Sequence, residues 1–151
     1  MGKRHNATGR SKGEGRYVAL HHWLMRTEAW RALDPVARCA YVEMSARYGG
    51  PGSNNGRLPL SVRDLAAALN VSKATATRAL HRLQEHGFVV LTKRGAFSVK
   101  VRQATEWRLT EFACDVTGAL ATKDFTRWKK QNTGSPEGPN GPRSETERSL
   151  S

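Results

Sequence analysis

One segment of the sequence carries side chains that could contact a nucleic acid directly. Ser72 is a favourable helix N-cap, and the residues after it are mostly hydroxyl-bearing, small or basic. Hydroxyl and methyl groups allow close approach to base edges, and the positive end of a helix favours phosphate. Side chains in the first turns of a helix are the ones that reach base edges in the major groove. In this segment they are Ser72, Lys73, Ala74, Thr75, Thr77 and Arg78.

Further basic and polar side chains lie close enough in sequence to extend such a contact surface. His81 and Arg82 follow on the same predicted helix, and Arg63 lies on the helix before it. Lys93 and Arg94 occupy the predicted tip of a β-hairpin, from which they would grip an adjacent backbone or minor groove. Residues 61–108 carry nine basic and three acidic side chains, so the region is strongly positive.

The sequence lacks the residue patterns of common catalytic and metal sites. There is no GxSxG, HExxH or Walker-type phosphate-binding motif, and the glycines of 9–15 have the wrong spacing for a phosphate loop. His81 and His86 are too far out of phase to share a metal on one helix face, and we expect the histidines at the surface or beside phosphates. Cys39 and Cys114 form no CxxC pair. We predict a non-enzyme without cofactor or metal, and no small-molecule ligand is evident.

The composition is that of one basic domain with polar ends. The chain has 151 residues and a net charge of +12, which suits nucleic acid, an anionic membrane or an acidic protein as partner. Residues 1–16 and 131–151 have almost no apolar side chains, so we predict a disordered basic arm and a disordered tail around a domain at 17–130. No apolar run is long enough to span a membrane. We expect a cytoplasmic protein, associated with the nucleoid.

The first half of the domain contains start and stop signals for two helices. Thr27 is a predicted N-cap for residues 28–33, and Asp34 followed by proline begins a longer helix that ends at the Gly49-Gly50-Pro51 turn. The run 49–56 is rich in glycine and asparagine, which predicts a mobile connector.

Two more helices are predicted around a short break. Ser61 and Asp64 match a capping box, and Asn70-Val71-Ser72 separates this helix from the next, at 73–86. Gly87 suits the position after a helix end. The second of these helices has one apolar stripe, made of Ala76, Ala79, Leu80 and Leu83.

The remainder of the core has the alternation of β-strands. Residues 57–60 form a short strand with an edge-type proline. Residues 88–92 and 97–102 are predicted to pair as a hairpin with its tip at 93–96, and 105–110 form a possible third strand.

Aromatic residues are expected to form core or dimer contacts rather than stack on bases. This interpretation applies to Trp30, Tyr41, Trp107 and Trp128. Phe125 and Trp128 supply enough apolar surface to attach the segment 112–130 to the core, although its secondary structure is not indicated by any pattern.

The stretch LSVRDLAAALNVSKATATRALHRLQEHGFVV, Leu60–Val90, resembles the winged helix-turn-helix of bacterial transcription regulators and of phage and plasmid replication-initiation proteins. The resemblance implies an α+β, mainly α fold with a three-helix core and a C-terminal β-hairpin wing. It places Val71, Ala76, Leu80 and Leu83 in the core, and Lys93 and Arg94 at the wing tip. Ala76 departs from the family, which often has a larger β-branched residue there. The asparagine-rich loop before Arg57 resembles the replication branch.

These observations predict a sequence-specific regulator of transcription that binds double-stranded DNA, in a bacterium or a mobile element. One alternative is a replication protein that binds an origin through the same fold, with 112–130 recruiting a partner. Another is a winged-helix adaptor that binds protein and no DNA. A homodimer formed through 17–48 would suit a palindromic site.

Overall fold

The computed structural model describes residues 15–98 and 101–131, which form a mainly helical winged helix-turn-helix domain. The predicted arm and tail lie outside the described residues, except for their innermost positions. The helices are α1 His22–Met25, α2 Glu28–Ala32, α3 Pro35–Ala46, α4 Val62–Leu69 and α5 Lys73–Glu85. The strands are β1 Leu58–Pro59, β2 Val89–Lys93, β3 Ala96–Ser98, β4 Val101–Gln103 and β5 Glu106–Leu109, and a 3₁₀ helix spans Asp124–Thr126.

The predicted N-caps are confirmed at each of the four helices that follow α1. In each case the side-chain oxygen accepts a hydrogen bond from the third following backbone N–H, which removes one unpaired donor of the first turn. At α4 the capping box differs in one respect. The Ser61 hydroxyl also donates to the Asp64 carboxylate at 2.7 Å, because aspartate is one methylene shorter than glutamate. The capping residues are Thr27, Asp34, Ser61 and Ser72.

The turn between α4 and α5 is built by a left-handed residue. Asn70 has a φ of 53°, and the N–H of Val71 donates back to the carbonyl of Ala66 at 3.0 Å. This is the Schellman arrangement with asparagine in the position usually taken by glycine. Val71 then packs against the core, so the turn holds α5 at a defined angle to α4.

The core is an aromatic cluster under the three longer helices. Trp30, Tyr41 and Phe88 are buried and meet edge to face, with ring centroids 5.4–5.8 Å apart. Trp107 is also buried. The expectation that these rings belong to the core is confirmed, and their burial excludes base stacking by them.

The strand pairing differs from the predicted hairpin. The three-stranded sheet has the order β1-β5-β2, and all its pairs are antiparallel. Thus β2 pairs with β5, where its residues lie opposite Trp107 and Leu109. The segment predicted as a possible third strand forms β5, which is the central strand of this sheet. Pro59 lies on an edge strand as predicted, since β1 pairs with β5 alone.

The prediction that Lys93 and Arg94 form the tip of the wing is therefore wrong. The two-stranded wing is made by β3 and β4, and Val99 and Lys100, which connect them, lie outside the described residues. Lys93 ends β2 opposite Glu106, and Arg94 follows it at the base of the wing. The alternation at 88–92 and 97–102 is correct for strands, but alternation does not encode which strand is the partner.

Residues 112–130 attach to the core through Phe125, as expected. Phe125 is buried and stacks on Phe88, with parallel rings 4.7 Å apart. The chain approaches so closely that a Cβ at Gly87 would lie 2.8 Å from backbone atoms of Asp124 and Phe125. Gly87 also has a φ of 79°, so glycine is required there on two counts.

Among the described histidines, His21, His22 and His81 are exposed as expected, and His86 is the exception. His86 is buried, with 4% of its surface exposed. Its ring stacks on Trp128 at 4.2 Å between centroids, and its Nδ1 lies 2.8 Å from the Arg82 carbonyl oxygen. His21, which is half-exposed, contacts the Glu111 carboxylate. Both rings have a tertiary partner that no local pattern reveals.

The connector at 49–56 is anchored rather than loose, through Asn55. The Asn55 side chain is fully buried, and its amide bonds the backbone of Leu109, Phe112 and Ala113. Its backbone N–H donates to the Asp115 carboxylate at 2.8 Å. These hydrogen bonds fix the connector to the chain beyond β5, and β1 with it.

Candidate nucleic-acid interface

The outer face of α5 is polar, basic and free of large apolar side chains. Its four buried residues form one stripe toward the core, as predicted from their spacing. The helical repeat then directs Ala74, Arg78 and His81 away from the core, and all three are exposed. Ser72 and Lys73 are exposed at the beginning of the helix. The first turns thus present a convex surface of small, hydroxyl and cationic groups.

The first turn of α5 is ordered by a chain of side-chain hydrogen bonds. The Ser72 hydroxyl accepts from the backbone N–H of Thr75 and lies 2.9 Å from the Thr75 hydroxyl. Arg78 donates from Nη2 to that same Thr75 oxygen at 3.3 Å. Thr75 itself is half-buried. Its hydrogen bond to Arg78 holds the guanidinium along the helix. Sequence reasoning treated these residues as independent contacts, whereas the structure couples them.

Thr77 has a different local role. Its hydroxyl donates to the carbonyl of Lys73 at 2.9 Å, which leaves the oxygen lone pairs and the methyl group for an outside contact. Thr77 is half-buried because it faces the base of the wing rather than open solvent.

A cleft between α5 and the base of the wing brings several predicted residues together. It has a volume of about 460 Å³, and Thr77, His81 and Arg94 all line it. Leu80, Leu91 and Trp107 are among its apolar residues. Arg94 therefore faces the same space as Thr77 and His81 of α5, although it is not at the wing tip.

Gln84 also lines this cleft and was missed by the sequence reasoning. It lies seven residues after Thr77 and three after His81, so helical spacing places all three on one face. That spacing is a signal the sequence contains. An amide at this position can both donate and accept hydrogen bonds.

The remaining predicted residues are not gathered into the cleft. Arg63 is exposed on the first turn of α4, and Lys93 is exposed opposite Glu106. Arg82 lines a separate cleft of about 580 Å³ together with Trp128 and Lys129. Arg82 thus lies on the side of α5 that faces the C-terminal segment, and not on the side that faces the wing.

The charge on α5 is uneven along its length. Lys73, Arg78 and Arg82 precede the helix's acidic side chain, Glu85, which is exposed in the last turn. The unpaired N–H groups of the first turn add partial positive charge at the same end as Lys73. The N-terminal part of α5 is therefore the part best suited to a negatively charged partner.

The part of the chain that the structure describes contains no cluster of three or more histidine, cysteine or acidic side chains that could hold a metal ion. Cys39 is exposed and Cys114 is buried, and neither forms a disulfide. Within the same described ranges, no helix is both long enough and apolar enough to cross a bilayer.

Comparison with known proteins places a family match on this same region. Residues 52–96 match the model of the MarR family, and this range runs from the anchored connector through α4, α5 and β2 to the base of the wing. No curated protein and no solved structure gives a significant match. The fold and the family match together identify a winged helix-turn-helix domain, of which residues 52–96 are similar to the MarR family.

Proposed function

We propose that the protein is a transcription regulator that binds specific sequences of double-stranded DNA with α5 in the major groove. The observation that carries this proposal is the exposed first half of α5, where Lys73, Ala74 and Arg78 stand clear of the core at the end with partial positive charge. A B-DNA major groove about 12 Å wide accepts one such helix. The match to a family of regulators supports the same function, and it gives no support to an enzymatic function.

The residues divide into two kinds of contact. Ser72, Lys73, Ala74, Thr75, Thr77 and Arg78 are proposed to meet base edges or the phosphates beside them. His81, Arg94 and Arg63 are proposed to meet the sugar–phosphate backbone, which positions the helix without reading sequence. Lys93 and Arg82 are proposed as outer phosphate contacts, since both are exposed and basic.

The direct experiment is a selection of random duplex DNA by the purified protein at about 150 mM salt, a concentration at which sequence-independent binding is weakened. Enrichment of one motif is the expected result. A palindromic motif would indicate the homodimer that we propose for a two-fold site. If no motif is enriched, the sequence-specific regulator is wrong, and a protein-binding adaptor becomes the better hypothesis.

Two substitutions separate base reading from phosphate binding. Thr75→Ala removes the acceptor that holds Arg78, so it is expected to relax sequence preference by about 1–3 kcal/mol at the affected base pair. Lys93→Ala is expected to weaken binding to all sequences alike and to lower the salt slope by about one unit. Arg26→Ala is the matched control, since Arg26 is an exposed arginine outside α4, α5 and the wing base. Equal, sequence-independent losses from Thr75→Ala and Lys93→Ala would contradict this division of roles.

The genomic position of the enriched motif then tests the finer part of the proposal. A motif beside promoters supports regulation of transcription in a bacterium or mobile element, with the protein in the cytoplasm on the nucleoid. Repeated copies of the motif at a replication origin would support the replication role instead.

A further inference from the structure

The side of α5 that faces away from the wing has a basic surface of its own. Arg82 lies on this side, two residues before Gln84 of the wing-base cleft, so the two side chains project about 160° apart around the helix axis. The exposed outer face of α5, with Arg78 and His81, lies between them. A helix in the major groove has a sugar–phosphate backbone along each of its two sides. The cleft at the wing base faces one backbone, and the side of Arg82 faces the other.

The C-terminal segment is held against this side of the domain by stacking and by polar contacts. The ring of Trp128 stacks on His86 with centroids 4.2 Å apart. One oxygen of the Glu28 carboxylate accepts the backbone N–H of Lys130 at 2.9 Å, and the other lies 3.2 Å from Nζ of Lys129. The backbone at Lys130 is thus already fixed, so a contact made by its side chain costs less conformational entropy than one made by an unanchored tail.

The cleft between α5 and this segment, of about 580 Å³, has more positive than negative charge. Its lining includes the basic side chains of Arg82, Lys129 and Lys130 and the acidic side chain of Glu85. Lys129 is matched by its salt bridge to Glu28. In the part of the chain that the structure describes, Arg82 and Lys130 are exposed and form no salt bridge, either with Glu85 or with another acid. Two cations without a protein partner therefore face this space, against the single charge of Glu85.

We propose that Arg82 and Lys130 bind phosphates of the DNA backbone that runs along the side of α5 away from the wing. This inference rests on the proposed DNA binding and extends the interface to Lys130, which lies beyond the family match. Guanidinium and ammonium groups both donate to phosphate oxygens, and such contacts position a duplex without reading its sequence. With Arg94 on the wing side, the duplex is then held on both of its backbones.

The first test is the salt dependence of binding to a mixed-sequence duplex of about 30 base pairs, or three helical turns. The full-length chain is titrated between about 50 and 200 mM salt, with fluorescence anisotropy of the labelled duplex as the readout. Arg82→Gln and Lys130→Gln are each expected to lower the slope of log affinity against log salt by about one unit. Glu85→Gln is expected to strengthen binding by about two- to threefold, the size of an exposed charge interaction.

Lys123→Gln is the matched control. Lys123 lies on the same segment and carries the same charge, but its Nζ lies over the Trp23 ring, 5.0 Å from the centroid, and it does not line the cleft. Its substitution is expected to leave the salt slope unchanged. Unchanged slopes in both Arg82→Gln and Lys130→Gln, or an equal loss in Lys123→Gln, overturn the inference while DNA binding by the wild type stands. If the wild type does not bind the duplex, the proposed function is wrong and this inference falls with it.

Interference by phosphate ethylation on the enriched motif shows which backbone each cation contacts. Arg82→Gln and Lys130→Gln are expected to remove interference at phosphates on one side of the major groove, and Arg94→Gln at phosphates on the other side. Loss of interference at the same phosphates in all three variants would overturn the assignment of Arg82 and Lys130 to a separate backbone.

Discussion

Replacement of Asn55 by alanine is expected to lower the free energy of unfolding by about 3 kcal/mol. The buried Asn55 amide acts as a substitute for a strand residue. Its Oδ1 accepts from the backbone N–H of Leu109 at 2.8 Å, and its Nδ2 donates to the Leu109 carbonyl at 3.0 Å. These two groups point toward the edge on which β1 pairs, but β1 begins only at Leu58, opposite Trp107. The Asn55 side chain thus extends the ladder of hydrogen bonds ahead of the first residue of the strand.

The magnitude follows from the groups that the substitution leaves without partners. Leu109 is fully buried, so water cannot readily reach its backbone N–H and carbonyl once the Asn55 amide is removed. Each backbone group left without a partner lowers the stability of the fold by about 1–3 kcal/mol. Asn55 also donates to the carbonyls of Phe112 and Ala113. These two residues are more exposed than Leu109, and they are expected to add little.

Asn55→Asp tests the direction of these hydrogen bonds. A carboxylate can still accept from Leu109, but it cannot donate to the three carbonyls around it, and Asp115 is close by. The new acid would therefore have a pKa above its unfolded value. Its destabilisation is then smallest at low pH, where the acid is protonated, and grows as the pH rises through the unfolded and then the folded pKa.

Urea unfolding at pH 7, followed by tryptophan fluorescence and circular dichroism, measures these changes. With an m-value of about 1.5 kcal/mol/M, a loss of about 3 kcal/mol moves the midpoint by about 2 M. Asn54→Ala is the matched control. Asn54 bonds part-exposed groups at the end of α3, so its loss is expected to cost about 1 kcal/mol. A cost for Asn55→Ala no larger than that of Asn54→Ala would refute the reasoning.

Three further changes are expected to alter stability in ways that the structure specifies. Gly87→Ala should lower the free energy of unfolding, measured in urea, by at least about 2 kcal/mol, because the φ of 79° and the backbone of residue 124 at 2.8 Å both oppose a Cβ. A variant as stable as the wild type would show that the C-terminal segment does not pack there. Phe125→Ala should cost about 3–5 kcal/mol by the same assay, since its ring is buried on Phe88, and a cost below about 1 kcal/mol would contradict that packing. Backbone N–H donors in the connector, Asn55 first, hold the pKa of Asp115 below its ordinary value. Asp115 therefore stabilises the fold above its unfolded pKa, and this contribution is lost as the pH falls through the folded pKa. In the Asp115→Asn variant, the stability measured in urea should accordingly fall less between pH 7 and pH 3 than it does in the wild type. An unchanged pH profile would count against the interaction.

Helix positions could be predicted because their signals are local. Thr27, Asp34, Ser61 and Ser72 each cap the helix expected of them, since a cap involves only three or four consecutive residues. The apolar stripe of α5 likewise follows from spacing alone. Ala74, Arg78 and His81 could therefore be placed on the exposed outer face of α5 without a structure.

The wing could not be predicted to the same extent. The alternation in 88–92, 97–102 and 105–110 identifies strands, yet β2 pairs with β5 and leaves β3 and β4 to pair with each other. A hairpin closed at 93–96 would be the more local choice. The observed pairing instead sets Val89 and Leu91 opposite Leu109 and Trp107. Joining these apolar side chains, of which Leu91 alone is only partly buried, outweighs the entropic cost of the longer loop, which rises slowly with loop length.

Local sequence was enough to place the four helices that follow α1, the polar outer face of α5 and the aromatic residues of the core, because each depends on neighbours within about one or two turns. The short helix α1 was not predicted, and the partner of each strand and the position of Arg94 beside His81 at the base of the wing emerged with the folded structure alone. It also decided the burial of Asn55 and Glu111 among groups more than fifty residues away. The physical reason is that strand pairing and buried polar contacts are selected by surfaces that meet only after the chain has folded, and no spacing in the sequence records those meetings.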